Sequence, residues 1–359
     1  MLSPSLSQDE ADRRAPRKHG TRRESGMLSP ELIKRPRNFQ GLLMNARLHL
    51  TFLALVVATG SGSKANDLIP GPAQDSVTLK WQLRKDRPLF LEFSGTLHVT
   101  TIYEGRTAAS DRRQTLLISF LPKEQDKRGN WLVIEKIEAI DCQTECDGKK
   151  LTYNSTKPLA PNPDELAKDL APCVGAQFEL TFGPDYKVLK ARPGKNNPQI
   201  MPFPKPWWGP EPLTELVEST LLALHGKVLT KGMSWSRTQG FPGGQLGGST
   251  ITTQLTYSGR EGRLLRFIVT GSSKYQKPTF KLPGLTIKSA SSEIKNCLGV
   301  VLFDHDKGWI DSAKLSLSVE SKGTIEDNGR TYDHRCSIAQ TGKLRVTDTN
   351  PLKAPKWPK

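Results

Sequence analysis

The chain lacks any apolar run long enough to cross a membrane as a helix. Its best candidate, Leu50 to Ala58, falls well short of the ~20 apolar residues that a span requires. No transmembrane anchor is therefore expected. Cysteine is scarce too, at five in 359 residues. An odd and small number of thiols does not suit a disulfide-framed miniprotein and leaves at least one unpaired within the chain. The catalytic signatures of common hydrolases are missing: there is no Gly-x-Ser-x-Gly, no His-Glu-x-x-His, and no Ser-x-x-Lys with the partners that would activate it. A non-enzymatic protein is expected. The formal net charge is +16, but acids and bases are interspersed, as in Lys123, Glu124, Asp126, Lys127 and Arg128. Nucleic-acid binders cluster their cations on one face, so no nucleic-acid partner is expected. A basic bias of this kind suits an anionic envelope surface.

The segment Met44 to Ala65 has a basic start at Arg47 and His49, the short apolar run, and small residues at Ser63 and Ala65. That three-part pattern is that of a secretory signal peptide. The expected location is secreted or periplasmic. Residues 1–43 are polar and Arg-rich without apolar periodicity, and read as a disordered basic leader or a mis-assigned start.

An oxidising compartment permits disulfides. Cys142 and Cys146 flank Gln143-Thr144-Glu145 and are the easiest pair to close, while Cys297 and Cys336 lie on late strands that could meet across a sheet. No second Cys pair or His pair stands at ligand spacing, so no metal site and no cofactor are expected.

Strand signals dominate from Asp75 onward. Leu91, Phe93, Leu97, Val99, Thr101 and Tyr103 alternate with polar residues, as do Leu116, Ile118 and Phe120, then Phe178, Leu180 and Phe182, then Ile251, Thr253, Leu255 and Tyr257. Ala313, Leu315, Leu317 and Val319 alternate with Lys314, Ser316, Ser318 and Glu320. Period two with one apolar side is the signature of an antiparallel sheet buried on one face. Turn residues separate the runs at Glu104-Gly105, Asp147-Gly148, Gly183-Pro184-Asp185, Ser258-Gly259 and Asn328-Gly329. Asp304 to Gly308 also reads as a hairpin turn. Its two carboxylates at calcium-loop spacing lack the further oxygen ligands such a loop needs.

Two short helices are expected. The first begins at Asn162 as cap with Pro163 at its first position and ends before Gly175; the second runs from Glu211 to Leu224 with Leu213, Leu216, Val217 and Leu221 on one face. The Pro-rich stretch from Arg192 to Pro210, with Trp207 and Trp208, divides a domain of residues 66–348 into halves of about 66–192 and 232–348. The tail 349–359 reads as disordered. His98, His225, His305 and His334 all read as surface residues, with His225 suited as a cation to a helix C-terminus.

The run Val77 to Trp81, the strand Gln114 to Leu121 followed by Asn130 to Val133, the segment Leu151 to Thr156, Lys231-Gly232 with Trp235, and Leu302-Phe303-Asp304 with Lys307-Gly308 together resemble an uncharacterised, planctomycete-type family of secreted bacterial proteins, a domain of unknown function. That family transfers no catalytic residues. Its strand-rich layout is similar at fold level to lipoprotein carriers, in which a curved sheet wraps an apolar cleft.

The expected architecture is mainly β. It is a large curved antiparallel sheet, half-barrel-like or split into two half-sheets, with the two helices on its concave face. The expected function is binding of an apolar or amphiphilic small molecule in the cleft between sheet and helix. Leu97, Val99, Phe120, Leu221, Leu315 and Leu317 would line that cleft, with Trp207 and Trp208 as stacking aromatics. The alternative is a structural or interaction protein of the cell envelope.

Overall fold

A computed structural model describes residues 76–194, 225–241, 248–276, 285–327 and 329–353. The signal segment, the leader, the Trp207-Trp208 loop, most of the Gly-rich loop after Phe241 and the helix expected at Glu211 to Leu224 lie outside the described residues.

The first half contributes β1 (Val77–Thr78), β2 (Leu89–Tyr103), β3 (Arg106–Gln125), β4 (Trp131–Cys146), β5 (Lys149–Asn154), β6 (Gln177–Phe182) and β7 (Val188–Pro193). The second contributes β8 (Val228–Leu229), β9 (Ser234–Phe241), β10 (Gly248–Glu261), β11 (Leu264–Gln276), β12 (Leu285–Asp304), β13 (Trp309–Asp327) and β14 (Arg330–Thr347). Twelve of these form one antiparallel sheet in the order β7-β6-β4-β3-β2-β14-β13-β12-β11-β10-β9, with β5 paired to β4. The two halves are therefore not separate sheets. The ladder from Phe90↔Thr347 to Tyr103↔His334 joins β2 to β14 and makes the surface continuous. Among the described strands, β7 and β9 are the two ends of this order.

Local chemistry explains the hairpins. Glu104-Gly105 and Asp147-Gly148 have φ of +53° and +72°, and of +49° and +78°, the left-handed pair that a tight two-residue hairpin demands. Ser258-Gly259 departs from expectation. It is a β-bulge inside β10, where the register shifts between Tyr257 and Gly259 and Gly259 takes φ +115°. The actual reversal comes at Gly262, because the bulge lets the strand run on to Glu261.

The first expected helix is present but shorter. α1 spans Glu165–Leu170, and its cap is Asp164, whose carboxylate accepts from the Ala167 N–H at 2.8 Å. Asn162 and Pro163 precede the cap rather than forming it, and a 3-10 turn at Ala171–Cys173 ends the element. The tail also differs from expectation. Pro351–Lys353 form a 3-10 turn, and Leu352 packs on Phe90, Leu117 and Ala139 on the outer face. An apolar patch there recruits the chain end. No helix among the described residues is long and apolar enough to cross a membrane.

The cysteines do not pair. All five are free. Cys142 and Cys146 both lie on β4, roughly 13 Å apart along an extended chain, well beyond the ~7 Å reach of a disulfide. Cys297 and Cys336 are kept apart by β13, which pairs Leu317 with the first and Ser321 with the second.

The sheet is rolled, and one residue proves it. The Trp81 ring meets Phe303 of β12 edge-on at 5.2 Å and lies 6.4 Å from Tyr186 in the β6–β7 turn. Six strand spacings separate β6 from β12, roughly 29 Å on a flat sheet. One indole reaches both only because the sheet curls around it. The segment before β2 then seals this end. β1 pairs with β8, the Gln82 N–H donates to the Gly308 carbonyl at 2.9 Å, and the Asp86 N–H donates to the Pro122 carbonyl at 2.8 Å. Tyr186 donates its hydroxyl proton to the Trp81 carbonyl at 3.0 Å. Leu79 and Leu229 are fully buried. His225 belongs to this plug and not to the surface. Its Nδ1 accepts the Trp81 N–H at 3.0 Å, so the ring is neutral there, and burial pushes its pKa below the usual value, with Lys80 acting in the same direction.

Trp81→Ala is expected to cost about 3–5 kcal/mol, measured by denaturant unfolding. A loss below ~1 kcal/mol would show that the indole does not hold the roll.

Candidate functional site on the inner face

Alternation assigns each strand an inner and an outer side. Toward the sealed end the inner side is apolar, save for Glu135, over a continuous core that includes Leu91, Phe93, Ile118, Val133, Leu180, Phe267 and Val301. Farther along the strands the composition changes. Cross-strand pairing places Arg237 beside Thr253 and Thr253 beside Gly271. A Cβ built on Gly271 would come within 2.6 Å of the Cys297 sulfur. Cys297 pairs with Leu317, Leu317 with Gln340, Gln340 with Leu97 and Leu97 with Arg112. These residues form one transverse row across the inner face, from β9 to β3.

The row mixes greasy and polar groups in a dry setting. Arg112, Thr253 and Gln340 are all buried. Arg112 donates from Nε to the Cys142 sulfur at 3.3 Å; burial raises the Cys142 pKa, and Arg112 opposes that rise. The buried Oε1 of Gln340 and the buried Nη1 of Arg237 have no hydrogen-bond partner among the described residues. His334 lies six residues from Gln340 on β14, roughly 20 Å away. It is 3% exposed, its ring packs edge-on to Tyr103 at 6.4 Å, and both ring nitrogens lack partners among the described residues. Burial lowers its pKa, so the ring is neutral and offers one donor and one acceptor. Between Gln340 and His334 the inner face carries Ile338 and Cys336, flanked by Val99 and Thr101 on β2 and Val319 and Ser321 on β13. The strip is mostly apolar in its middle, where the Thr101 hydroxyl donates to the Cys336 sulfur, and has unmet hydrogen-bonding capacity at both ends. More than 90% of buried polar groups in native proteins are paired, which makes this concentration informative.

Of the lining residues expected from sequence, the structure gathers Leu97, Val99, Leu315 and Leu317 on this face, all buried. Leu315 and Leu317 belong to the continuous core, whereas Leu97 and Val99 lie outside it. Phe120 is buried on the same side but pairs with Leu89, roughly 27 Å from Leu97 along β2. It belongs to the sealed end. Leu221, Trp207 and Trp208 lie outside the described residues. His334 overturns its surface assignment, because the inner phase of β14 runs through it. His98 does face outward, where its Nδ1 and an Asp111 carboxylate oxygen stand 2.7 Å apart. The two histidines therefore sit on opposite faces and form no joint constellation. Asp304 is engaged structurally: it accepts from the Asp306 and Lys307 N–H groups and pairs with Arg263 at 3.1 Å.

Sequence reasoning missed Gln340, His334, Arg112, Arg237 and Glu135. The signal was available, since each occupies the inward phase of its strand. Glu135 is the sharpest case. It sits between Phe120 and Phe178 in register, is 1% exposed, and its Oε2 has no partner. Desolvation raises its pKa to about 8, so it is a neutral acid at pH 7.

No family model matches the chain, and no curated protein matches it, so the resemblance to a planctomycete-type secreted family rests on its motifs alone. Among solved structures, one of lipid–protein interactions in lipovitellin is similar at 11% identity and TM-score 0.36, over 74% of this chain and 26% of that one. OccK7 (OpdD) of Pseudomonas aeruginosa aligns at 6% identity and TM-score 0.18, over 72% of this chain and 99% of that one. OpdQ of Pseudomonas aeruginosa does so at 7% and 0.18, over 71% and 98%. TM-scores this low carry no inference about fold or function, so the case rests on this chain's own side chains.

The raised Glu135 pKa has a testable sign. Unfolded, the carboxyl ionises near 4.5, while folded it ionises near 8. Its favourable setting is complete below pH 4.5 and is lost as pH rises toward 8. Glu135→Gln removes this titration. The variant should gain on the wild type through that window, by on the order of a few kcal/mol at pH 8. Urea unfolding of both proteins at either end of the window checks it, and parallel curves would contradict the assignment.

Proposed function

We propose that this protein binds an apolar or amphiphilic molecule against the inner face of its rolled sheet, outside the cytoplasm and without catalysing a reaction on it. One observation carries this reading. Buried, unpartnered polar atoms at Gln340, His334 and Arg237 frame an apolar strip that includes Leu97, Val99 and Leu317. A buried acceptor without a donor costs roughly 1–3 kcal/mol. A core built only for stability has no use for several such groups on one face. A ligand with an apolar body and hydrogen-bonding termini satisfies both parts at once. The separation of roughly 20 Å between Gln340 and His334 suits an elongated amphiphile lying along β14.

The signs of two effects distinguish this from a plain core. Gln340→Leu keeps side-chain volume and removes the unmet acceptor. It is expected to stabilise the ligand-free protein by about 1–3 kcal/mol and to weaken binding of a fluorescent fatty acid about tenfold. Native purification followed by lipid extraction and mass spectrometry is expected to recover a bound amphiphile from the wild type. Absence of any lipid, together with salt-sensitive retention on envelope fractions, would favour the structural envelope role instead.

A further inference from the structure

The sealed end carries a second polar feature, independent of the inner face. β1, the β10–β11 hairpin and the β12–β13 turn converge on an open cleft of about 570 Å3. Lys80, Arg260 and His305 line it, with Ser76, Thr78 and the single carboxylate Asp306. Its walls are held by the plug. Gln82, also on the cleft, donates its N–H to the Gly308 carbonyl, and a Cβ on Gly308 would come within 2.5 Å of the Gln82 side chain. Asp304 clamps the turn around His305 through the Asp306 and Lys307 N–H groups at 3.2 and 3.1 Å.

The cations at this end divide into two sets. Arg263 and Lys307 are neutralised by the buried Asp304 at 3.1 and 3.7 Å, and Arg266 faces Glu261 at 3.8 Å. Lys80 and Arg260 have no carboxylate partner among the described residues, and both line the cleft. The Nδ1 of His305 is buried and has no hydrogen-bond partner. Two cations without a carboxylate partner among the described residues, with the Ser76 and Thr78 hydroxyls beside them, define a site whose missing component is an anion. A concave wall focuses the field of such cations, and hydrogen bonds from charged donors to an anion are about twice as strong as neutral ones.

We infer that this cleft binds the phosphate group of a small phosphate ester, with Arg260 as the forked donor and Lys80 as the point charge. The cleft falls within the range of small-molecule sites and exceeds what a bare phosphate fills. The body of the ester then lies against Ser76 and Thr78. Asp306 is matched to a hydroxyl of that body and not to the anion. The ester is either soluble or the headgroup of a phospholipid, and both present the same group.

Calorimetry on the full-length protein with glycerol 3-phosphate tests the assignment, with glycerol as control. Glycerol 3-phosphate is expected to bind and glycerol not to. Arg260→Ala and Lys80→Ala are each expected to weaken binding about tenfold or more with unchanged melting curves, and added salt to weaken it further. Lys190→Ala, on edge strand β7, should leave it unchanged. Retention on phosphatidylglycerol vesicles that Arg260→Ala abolishes would assign the phosphate to a lipid; binding of the soluble ester alone would assign it to a free metabolite. Binding of neither, or binding that both cleft variants leave intact, overturns the inference. Lipid recovered from the inner face should not change in Arg260→Ala, so the two sites fail separately.

Discussion

One-sided burial governs this molecule. Strands such as β13, with Leu315 and Leu317 buried and Lys314 and Glu320 exposed, present one face that water cannot be left to cover. With only a six-residue α-helix among the described elements, the sheet has little else to cover that face. It shelters the face by rolling, and twist makes a sheet of this breadth curl readily. Trp81 is the point at which the roll closes on itself, because Phe303 and Tyr186 meet there from strands six spacings apart. The plug strands β1 and β8 follow from the same need. Without Leu79 and Leu229 the mouth of the roll would admit water to the aromatic core around Phe267 and Phe303.

The polar groups make sense against that background. At the sealed end the inner face has a single buried carboxyl, Glu135, and the apolar surroundings keep it neutral. Farther along the strands, Arg112, Thr253, Gln340 and His334 enter the same inner phase. The contrast is between an end packed for stability and a stretch in which Gln340 and His334 hold buried atoms with no hydrogen-bond partner among the described residues. Desolvation is costly in proportion to what remains unpaired, so such a stretch is where a ligand gains most by arriving. The outer end of the plug has the reverse character, wet and cationic, where Lys80 and Arg260 stand clear of the acids that occupy Arg263, Lys307 and Arg266.

Much of the architecture was legible locally, and the errors have physical causes. The alternation in β2, β10 and β13 and the left-handed turns at Glu104-Gly105 and Asp147-Gly148 are properties of a few neighbouring residues. Ser258-Gly259 misled because glycine serves a bulge as well as a turn, and the difference lies in the partner strand. Asp164 took the cap from Asn162 because its carboxylate alone reaches the Ala167 N–H. His334 reads as a surface residue because the inner phase of β14 alternates polar and apolar residues, His334, Cys336, Ile338 and Gln340. Its direction follows from the alternation through Leu344, which places His334 on the inner phase of the same strand. Cys142 and Cys146 looked close in number, yet extension along one strand holds them apart.

The amino-acid order by itself determined that the chain forms antiparallel strands, which side of most of them is greasy, and where most of them reverse. Those outcomes depend on φ preferences and on a period of two, which act within a few residues. Only the tertiary structure decided that the two halves merge through β2 and β14, that the sheet rolls onto Trp81, and that Arg237, Gln340 and Arg112 fall on one row. Each of these depends on contacts between residues far apart in the chain, whose pairing is selected by the burial of the whole inner face and by no local preference.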